Sequence, residues 1–448
     1  MIKRSTYRNF RLAFSVWQWS VRRFTRPGRW VFLALGVTAL VGMNTKATLA
    51  YQIFSFLFSL LCVSVLWSAF SRLDFSAVRS LPRHATCGDA FSYTVVIRNP
   101  SKRFQKGLWV WEDMEDPRPT LSEFYAAREP LEMTRNLFDR AGGWHRWVWL
   151  LKRKRGAVLH RRAVPPIPPG GSVEVKMPIT PTRRGILRFS GLTVARPDVF
   201  GLCASLAPVS IPQSLMVLPR RFPVPRLNLP GLRKHHPQGV HLAASVGDSE
   251  EFLSLRDYRP GDSLRRISWK SWARTGKPVV REYEEEFYVR HALVLDSFGL
   301  PFGSPLFEKA VSLAASYAAT VRTQESLLDL LFVGAKAFCV SAGRGQGSTE
   351  SLLEILASVS VSGDKPFELL ADAVLSRAPY ISGCILVLLA WDEARRGLVK
   401  RLRALGMSLE VFVLWEGEKA PEPGPLLDDP ARFHPVRAGG PEEGFLFP

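Results

Sequence analysis

Two aspartates stand where an α/β sheet would gather chemistry. Asp296 and Ser297 follow the apolar run Ala292 to Leu295, and Asp392 follows the apolar run Cys384 to Leu389 closely. Ligands of parallel sheets sit at the carboxyl ends of the strands, so this pair of carboxylates is the natural candidate for a hydrolytic or ligand-binding site. Other catalytic patterns are missing: the chain has no H-E-x-x-H, no G-x-S-x-G and no P-loop. Gly343, Gly345 and Gly347 precede a helical pattern and could form either a phosphate cradle or a turn capped by Ser348 or Thr349. His235, His236 and His241 lie in a Pro-rich basic stretch without carboxylates at metal spacing, and read as a solvated loop. Five scattered cysteines, with no C-x-x-C pair, exclude a zinc module and a disulfide framework and fit a reducing compartment.

The densest cluster of charge lies between Gly247 and Arg274. There Arg256, Arg265 and Arg274 are interleaved with Asp257 and Asp262, and Glu282 and Glu284 to Glu286 follow. Pro260-Gly261 reads as a turn, and Asp262 as the N-cap of a short helix running to about Ala273. Such a charged helix has two readings: an interdomain clasp, or a docking surface for an acidic or phosphate-bearing partner.

These groups need elements to hold them. The 448 residues carry 60 Lys plus Arg against 40 Asp plus Glu, a net charge of +20, yet 46% are hydrophobic, which excludes global disorder. The charge is uneven: residues 1–29 hold eight basic residues and no acidic one, directly before the apolar run Trp30 to Met43. A second apolar run, Ala47 to Phe70, is long enough at about 1.5 Å per residue to cross a hydrocarbon core of about 30 Å. The expectation is an amphipathic leader (1–29), with Phe10, Phe14, Trp17, Val21 and Phe24 turned to the lipid, and a hairpin of two transmembrane helices (30–70). Basic flanks on both outer ends, Arg72, Arg79 and Arg83 among them, place both termini in the cytoplasm.

Residues 75–220 alternate with period two, as at Phe91, Tyr93, Val95 and Ile97, and read as a β-sandwich. Its Trp- and Arg-rich insertion, 112–164, holds eight basic residues and no acidic one between Arg140 and Arg162, beside Trp144, Trp147 and Trp149. It suits either a membrane interface or a partly buried helix with a basic face. With the charge gathered in segments suited to lipid, nucleic acid loses its support as a partner. After a linker and the charged segment (221–288), residues 289–416 alternate strand and helix patterns, an α/β arrangement with a mostly parallel sheet, before a Pro- and Gly-rich tail (417–448).

The charged segment also resembles a known family. Gly247, Glu251, Phe252, Leu255, Arg256, Tyr258, Gly261, Asp262, Arg265, Ile267, Trp269, Ala273 and Arg274 match the signature of the domain of unknown function 58 family, and Arg183-Arg184-Gly185 and Asp198 to Leu202 are further family-like features. The resemblance implies a membrane-anchored protein with a von Willebrand A-like (Rossmann-like) terminal domain, often encoded beside a MoxR-type AAA+ ATPase, with no established enzymatic activity. Von Willebrand A-like domains often hold Mg²⁺ through Asp-x-Ser-x-Ser. Here the run is Asp296-Ser297-Phe298-Gly299-Leu300, so two oxygen ligands are replaced by apolar side chains and the site (Asp296, Ser297, Asp392) is degenerate. No cofactor is expected. The expected function is a non-catalytic adaptor or scaffold on a bacterial inner membrane, its soluble domains cytoplasmic, presenting the terminal domain to an AAA+ ATPase or other membrane proteins of an envelope-assembly complex. The alternative is a membrane-bound hydrolase using Asp296 and Asp392.

Overall fold

The computed structural model describes residues 4–42, 48–127 except 72, 129, 135–225, 252–283 except 261, 263, 265 and 266, 289–320 except 302, 326–333, 337–342, 349–362 and 366–437 except 418. The chain opens with three helices: α1 (Arg4–Arg23), α2 (Arg26–Gly42) and α3 (Thr48–Phe70). Among the described residues one helix is long and apolar enough to cross a membrane, α3 over Leu49–Phe70, with 11% of its most apolar stretch buried. The break between α1 and α2 falls at Phe24-Thr25, before the expected boundary at residue 30. Thr25 causes it by capping the new helix, its Oγ1 accepting from the Gly28 amide at 3.2 Å.

Two sheets follow, sharing one apolar core. One has the order β1-β3-β7-β5, from β1 (Ser76–Ser80), β3 (Phe91–Arg98), β7 (Ser172–Pro181) and β5 (Ala157–Leu159). The other has the order β2-β9-β8-β4-β6, from β2 (His84–Thr86), β9 (Ala204–Leu218), β8 (Gly185–Pro197), β4 (Leu108–Met114) and β6 (Arg162–Val164). Period-two alternation turns Tyr93, Val95, Ile97, Val175, Met177 and Ile179 of the first onto Val110, Leu187, Phe189, Leu192 and Val194 of the second. One buried ion pair ties the two sheets: Arg79 meets both Glu112 carboxylate oxygens, at 3.1 and 2.5 Å, and Tyr93 donates its hydroxyl to Glu112 at 2.7 Å. Burial pushes the Glu112 carboxyl up against the opposing pull of Arg79. Arg79 is therefore an interior residue and not part of a membrane-facing basic flank.

The Trp- and Arg-rich insertion contains short helices, α4 (Leu121–Ala126), α5 (Leu137–Gly142) and α6 (Trp144–Arg155), along with β5 and β6. Tyr7 and Phe14 of α1 form a small aromatic core with Phe124, Trp147, Leu150 and Leu151, and Phe10 packs on its edge. The rings meet edge-on, Tyr7 and Trp147 at 5.7 Å and Phe10 and Trp144 at 5.3 Å, a favoured aromatic geometry. Thus the α1 stripe expected to face lipid is instead seated, at Phe10 and Phe14, on the insertion. Trp147 is 1% exposed, which decides for the partly buried reading at that residue.

The last unit is a six-stranded sheet of order β14-β13-β12-β15-β16-β17, parallel except for β14. Its elements run β12 (Val289–Leu295), α8 (Pro305–Thr320), β13 (Ser326–Val333), β14 (Ala337–Ala342), α9 (Thr349–Ser358), α10 (Glu368–Leu375), β15 (Gly383–Leu388), α11 (Glu393–Ala404), β16 (Ser408–Trp415) and β17 (Phe433–Arg437). Alternate residues of β12 feed opposite faces: Leu293 and Leu295 meet α8 and α9, while Ala292 and Val294 meet α10 and α11. The sheet extends beyond the expected end at 416, because β17 adds a parallel sixth strand against β16. That strand, Phe433-His434-Pro435-Val436-Arg437, buries only Phe433 and Val436 and so lacks the apolar run of its neighbours.

Between the charged segment's ends the chain forms a separate two-stranded hairpin, β10 (Phe252–Asp257) with β11 (Val279–Tyr283), crossed by the short helix α7 (Trp269–Thr275).

Candidate functional site

At the carboxyl end of β12, Asp296 is 0% exposed, and its two oxygens are fully engaged. Oδ1 accepts from the Phe298 amide at 3.0 Å; Oδ2 accepts from the Leu389 amide at 3.0 Å and from Nε of Arg395 at 2.7 Å. Arg395 lies in the first turn of α11, whose N-cap is Asp392; Asp392 Oδ1 accepts from the Arg395 amide at 3.1 Å and its Oδ2 pairs with the same guanidinium at 2.5 Å. The guanidinium also rests 4.6 Å from the centre of the Phe367 ring. Burial works against the charged form of Arg395, but the hydrogen bonds and charge of Asp296, joined by Asp392, outweigh it and hold the arginine above its ordinary range. So the fold does bring Asp296 and Asp392 together, but around an arginine.

Ser297 turns away, donating its hydroxyl to the Val333 carbonyl at 2.7 Å. Phe298 is buried and packs edge-on against Phe367 at 6.0 Å. A divalent ion does not fit these residues: one carboxylate is already neutralised by a cation that cannot leave, and apolar side chains stand where hydroxyls would be needed. A hydrolytic role meets the same obstacle, because neither oxygen of Asp296 is free to take a proton.

The charged hairpin is the second candidate. Arg256 grips Asp262 with two parallel hydrogen bonds at 2.8 and 2.7 Å, and the Arg259 amide donates to Asp262 at 2.9 Å. These bonds, Arg256 first, pull the Asp262 carboxyl down to about 2. Asp262 is therefore the fastener of the loop; the α-helix begins seven residues later, at Trp269. Before it, Ile267 is buried and bridges to Val280, while the Ser268 amide donates to Val279 at 2.8 Å. Tyr258 closes the other side through its amide, donating to Pro278 at 3.0 Å. None of the α7 residues, Ala273 and Arg274 included, is buried. Trp269 and Trp272 stack on one another at 5.3 Å, with Trp269 64% exposed. Gly247, Glu251, Gly261 and Arg265 lie outside the described residues.

Among the described residues, the two-sheet unit and the six-stranded unit meet at Arg184 and His84. Arg184, next to the start of β8, reaches the end of α9, donating to Leu356 at 3.2 Å and Val359 at 2.6 Å, and pairs with Glu308 of α8. Burial pushes its guanidinium down to about 10. His84 adds a 2.6 Å contact to Glu354 on α9. Arg184 and His84 thus stopper the same helix region from the neighbouring unit.

Residues 254–371 match the family model described as protein of unknown function DUF58, a stretch that runs from within β10 through α7 and the first strands of the six-stranded unit into α10. Residues 254–371 are thus similar to DUF58. Uncharacterized protein YeaD of Bacillus subtilis (strain 168) is 30% identical over 137 residues, 30% of this chain and 32% of that one. Uncharacterized protein Rv1480 of Mycobacterium tuberculosis (strain ATCC 25618 / H37Rv) is 33% identical over 127 residues, 27% of this chain and 40% of that one. The chain thus spans 32% to 40% of the length of these curated relatives. A solved GH20 exo-β-N-acetylglucosaminidase from Vibrio harveyi aligns at a TM-score of 0.15 and 8% identity, covering 77% of this chain and 57% of that chain, which carries no argument. Asp296 and most of the hairpin fall inside the DUF58 match, whereas Arg395 and Asp392 fall outside it.

Proposed function

We propose that this protein is a non-catalytic, membrane-anchored adaptor. In this reading α2 and α3 form a transmembrane hairpin in a bacterial inner membrane, the two-sheet unit is a β-sandwich spacer, and the six-stranded unit is a von Willebrand A-like domain held in the cytoplasm. The partner is a MoxR-type AAA+ ATPase, engaged together with other membrane proteins of an envelope-assembly complex. The observation that carries the reading is α7: a stacked Trp269-Trp272 pair with Trp269 open to water, on a helix that also bears Lys270 and Arg274 and buries no residue in its own chain. Large exposed aromatics beside cations are the composition of an interface centre rather than of a solvated helix. The bonds of Arg395 to Asp296 and Asp392 at the sheet edge count against the alternative hydrolase. The length and apolarity of α3 support the anchor.

The test is affinity purification of the full chain from detergent-solubilised membranes, as wild type and as Trp269→Ala. Recovery of the ATPase with wild type and its loss with Trp269→Ala supports the adaptor; equal recovery with both removes α7 from the interface, and absence of the ATPase from both overturns the partnership.

A further inference from the structure

We propose that the outward face of α1 and the turn between β8 and β9 form one lipid-contact surface at the base of the anchor, with anionic phospholipid headgroups as its ligand. This rests on the membrane anchor of the preceding section and says what the soluble part does beside it.

The first observation is that α1 carries two apolar stripes. At about 100° per residue, Tyr7, Phe10, Phe14 and Trp17 fall on one side, and Leu12, Val16 and Trp19 fall within an arc of about 60° on the opposite side. The insertion covers the first stripe at Tyr7 and Phe14. The second is open: Leu12, Val16 and Trp19 are 62%, 65% and 55% exposed. Arg8 and Arg23 share that outward side by the same rotation, whereas Arg22 is engaged with Asp113 at 2.8 Å. An apolar stripe flanked by arginines, in a segment without a single acid before Asp74, is complementary to an anionic headgroup layer.

The second observation is the turn. Asp198 shapes it by accepting from the Leu202 amide at 2.7 Å and the Cys203 amide at 3.1 Å, and Gly201 supplies the positive φ of +69°. The result pushes Val199 and Phe200 outward, 74% and 52% exposed. Two apolar side chains at the tip of a tightly fastened turn lose free energy in water at about 25 cal/mol per Å² of exposed apolar area, and recover it in an acyl boundary.

The third observation puts both features at one level. Thr25, between α1 and α2, donates its amide to Leu202 at 3.0 Å and its hydroxyl to Gly201. Phe24 forms a bridge to Cys203, and Ser205 donates its hydroxyl to Ser68, near the end of α3, at 3.1 Å. The turn therefore sits where α1 ends, α2 begins and α3 finishes. Exposed Trp30 and Trp67 stand at those same helix ends, as residues of an interfacial aromatic belt do.

The experiment uses the full chain in nanodiscs of phosphatidylcholine with phosphatidylglycerol. Leu12→Cys, Phe200→Cys and, as a remote exposed control, Leu427→Cys are labelled with nitrobenzoxadiazole, with the labelled wild type as background for native thiols. The proposal expects several-fold brighter emission at positions 12 and 200 than at 427, quenched by shallow doxyl-labelled lipid, and weaker quenching at 12 in pure phosphatidylcholine. Water-like emission at 12 and 200 overturns it. So does bright emission that lipid-borne doxyl fails to quench, the signature of a second copy of the chain covering the face. Equal quenching without anionic lipid overturns the headgroup assignment. Carbonate extraction of membranes separates this from the anchor: a chain that washes off removes the anchor, and a chain that stays while its probes remain water-like removes this surface alone.

Discussion

Asp296 and Asp262 are each held by one arginine, at similar distances, in opposite surroundings. At the sheet edge Arg395 is buried with Asp296 under Phe367 and tied again to Asp392. In the hairpin Arg256 holds both oxygens of Asp262 with a two-pronged grip, on a lobe whose helix buries none of its residues, whereas Arg395 divides its bonds between Asp296 and Asp392. Removing two charges from water is costly, so the buried pair is committed to its partners and has little left to offer a ligand. The half-buried pair shapes a loop at smaller energetic consequence, on a lobe whose helix leaves Trp269 open to a partner. Similar pairs therefore mark a sealed site in one place and an available surface in the other.

The comparison breaks most readily at Arg395. Arg395→Ala strands a buried carboxylate, and the expected loss is about 3 to 5 kcal/mol, read as a lower melting temperature of the full chain in detergent. Arg395→Lys should recover part of this, since the charge returns without the fork that meets Asp296 and Asp392 together. Stability unchanged in Arg395→Ala would mean that Asp296 is open, and would return the hydrolase reading to contention.

Arg184 is the next largest. Arg184→Ala removes charge-assisted bonds to Leu356 and Val359, each worth about 1.5 to 3 kcal/mol, and loosens α9 from β8 and β9. Calorimetry should then show the two units melting as separate transitions; a single unshifted transition would place the interdomain coupling elsewhere. Trp269→Ala, at an exposed side chain, should change stability by no more than about 0.5 kcal/mol while abolishing capture of the ATPase. A large drop in melting temperature there would show that α7 is packed, and would end the contrast with the sheet edge.

Much of this was legible before the fold was known, for physical reasons that also mark where reading stops. Asp296 stood out because a carboxylate ending an apolar strand has few uses. Its partner did not, because Arg395 is one of several basic residues on α11, and only the placement of that helix buries this one. A trace existed in Asp392 and Arg395, three apart, an N-cap followed by a cation able to fold back on it. Period two revealed β3 and β7, yet β17 was missed because an edge strand with His434 and Pro435 in it carries no run of buried residues. Arg79 was misread as a membrane flank since position along the chain cannot distinguish a surface cation from one that joins Glu112 across a core. The same holds for α1: one apolar stripe is evident in the sequence and reads as lipid-facing, although the helix has two and the insertion takes that one, leaving Leu12, Val16 and Trp19 open.

The smallest expected effect is the pH response of the hairpin. Asp262 is held at about 2, chiefly by Arg256, against about 3.9 in an unfolded chain. A depressed carboxyl contributes stability that is present in full above the unfolded value and is lost as pH falls through the folded one, so the loop should hold above pH 4 and loosen between about 4 and 2. Hydrogen exchange of the peptide covering residues 252–283, corrected for the intrinsic pH dependence, reads this locally. Protection should fall over that window in the wild type, with the Arg259 amide, which donates to Asp262, among the first to be released. Asp262→Asn should exchange fast at every pH in the range, since a neutral amide cannot hold the fork. Protection that survives Asp262→Asn unchanged would show that Tyr258, Ile267 and Ser268 fasten the hairpin on their own, and that the half-buried pair is ornament where the buried one is structure.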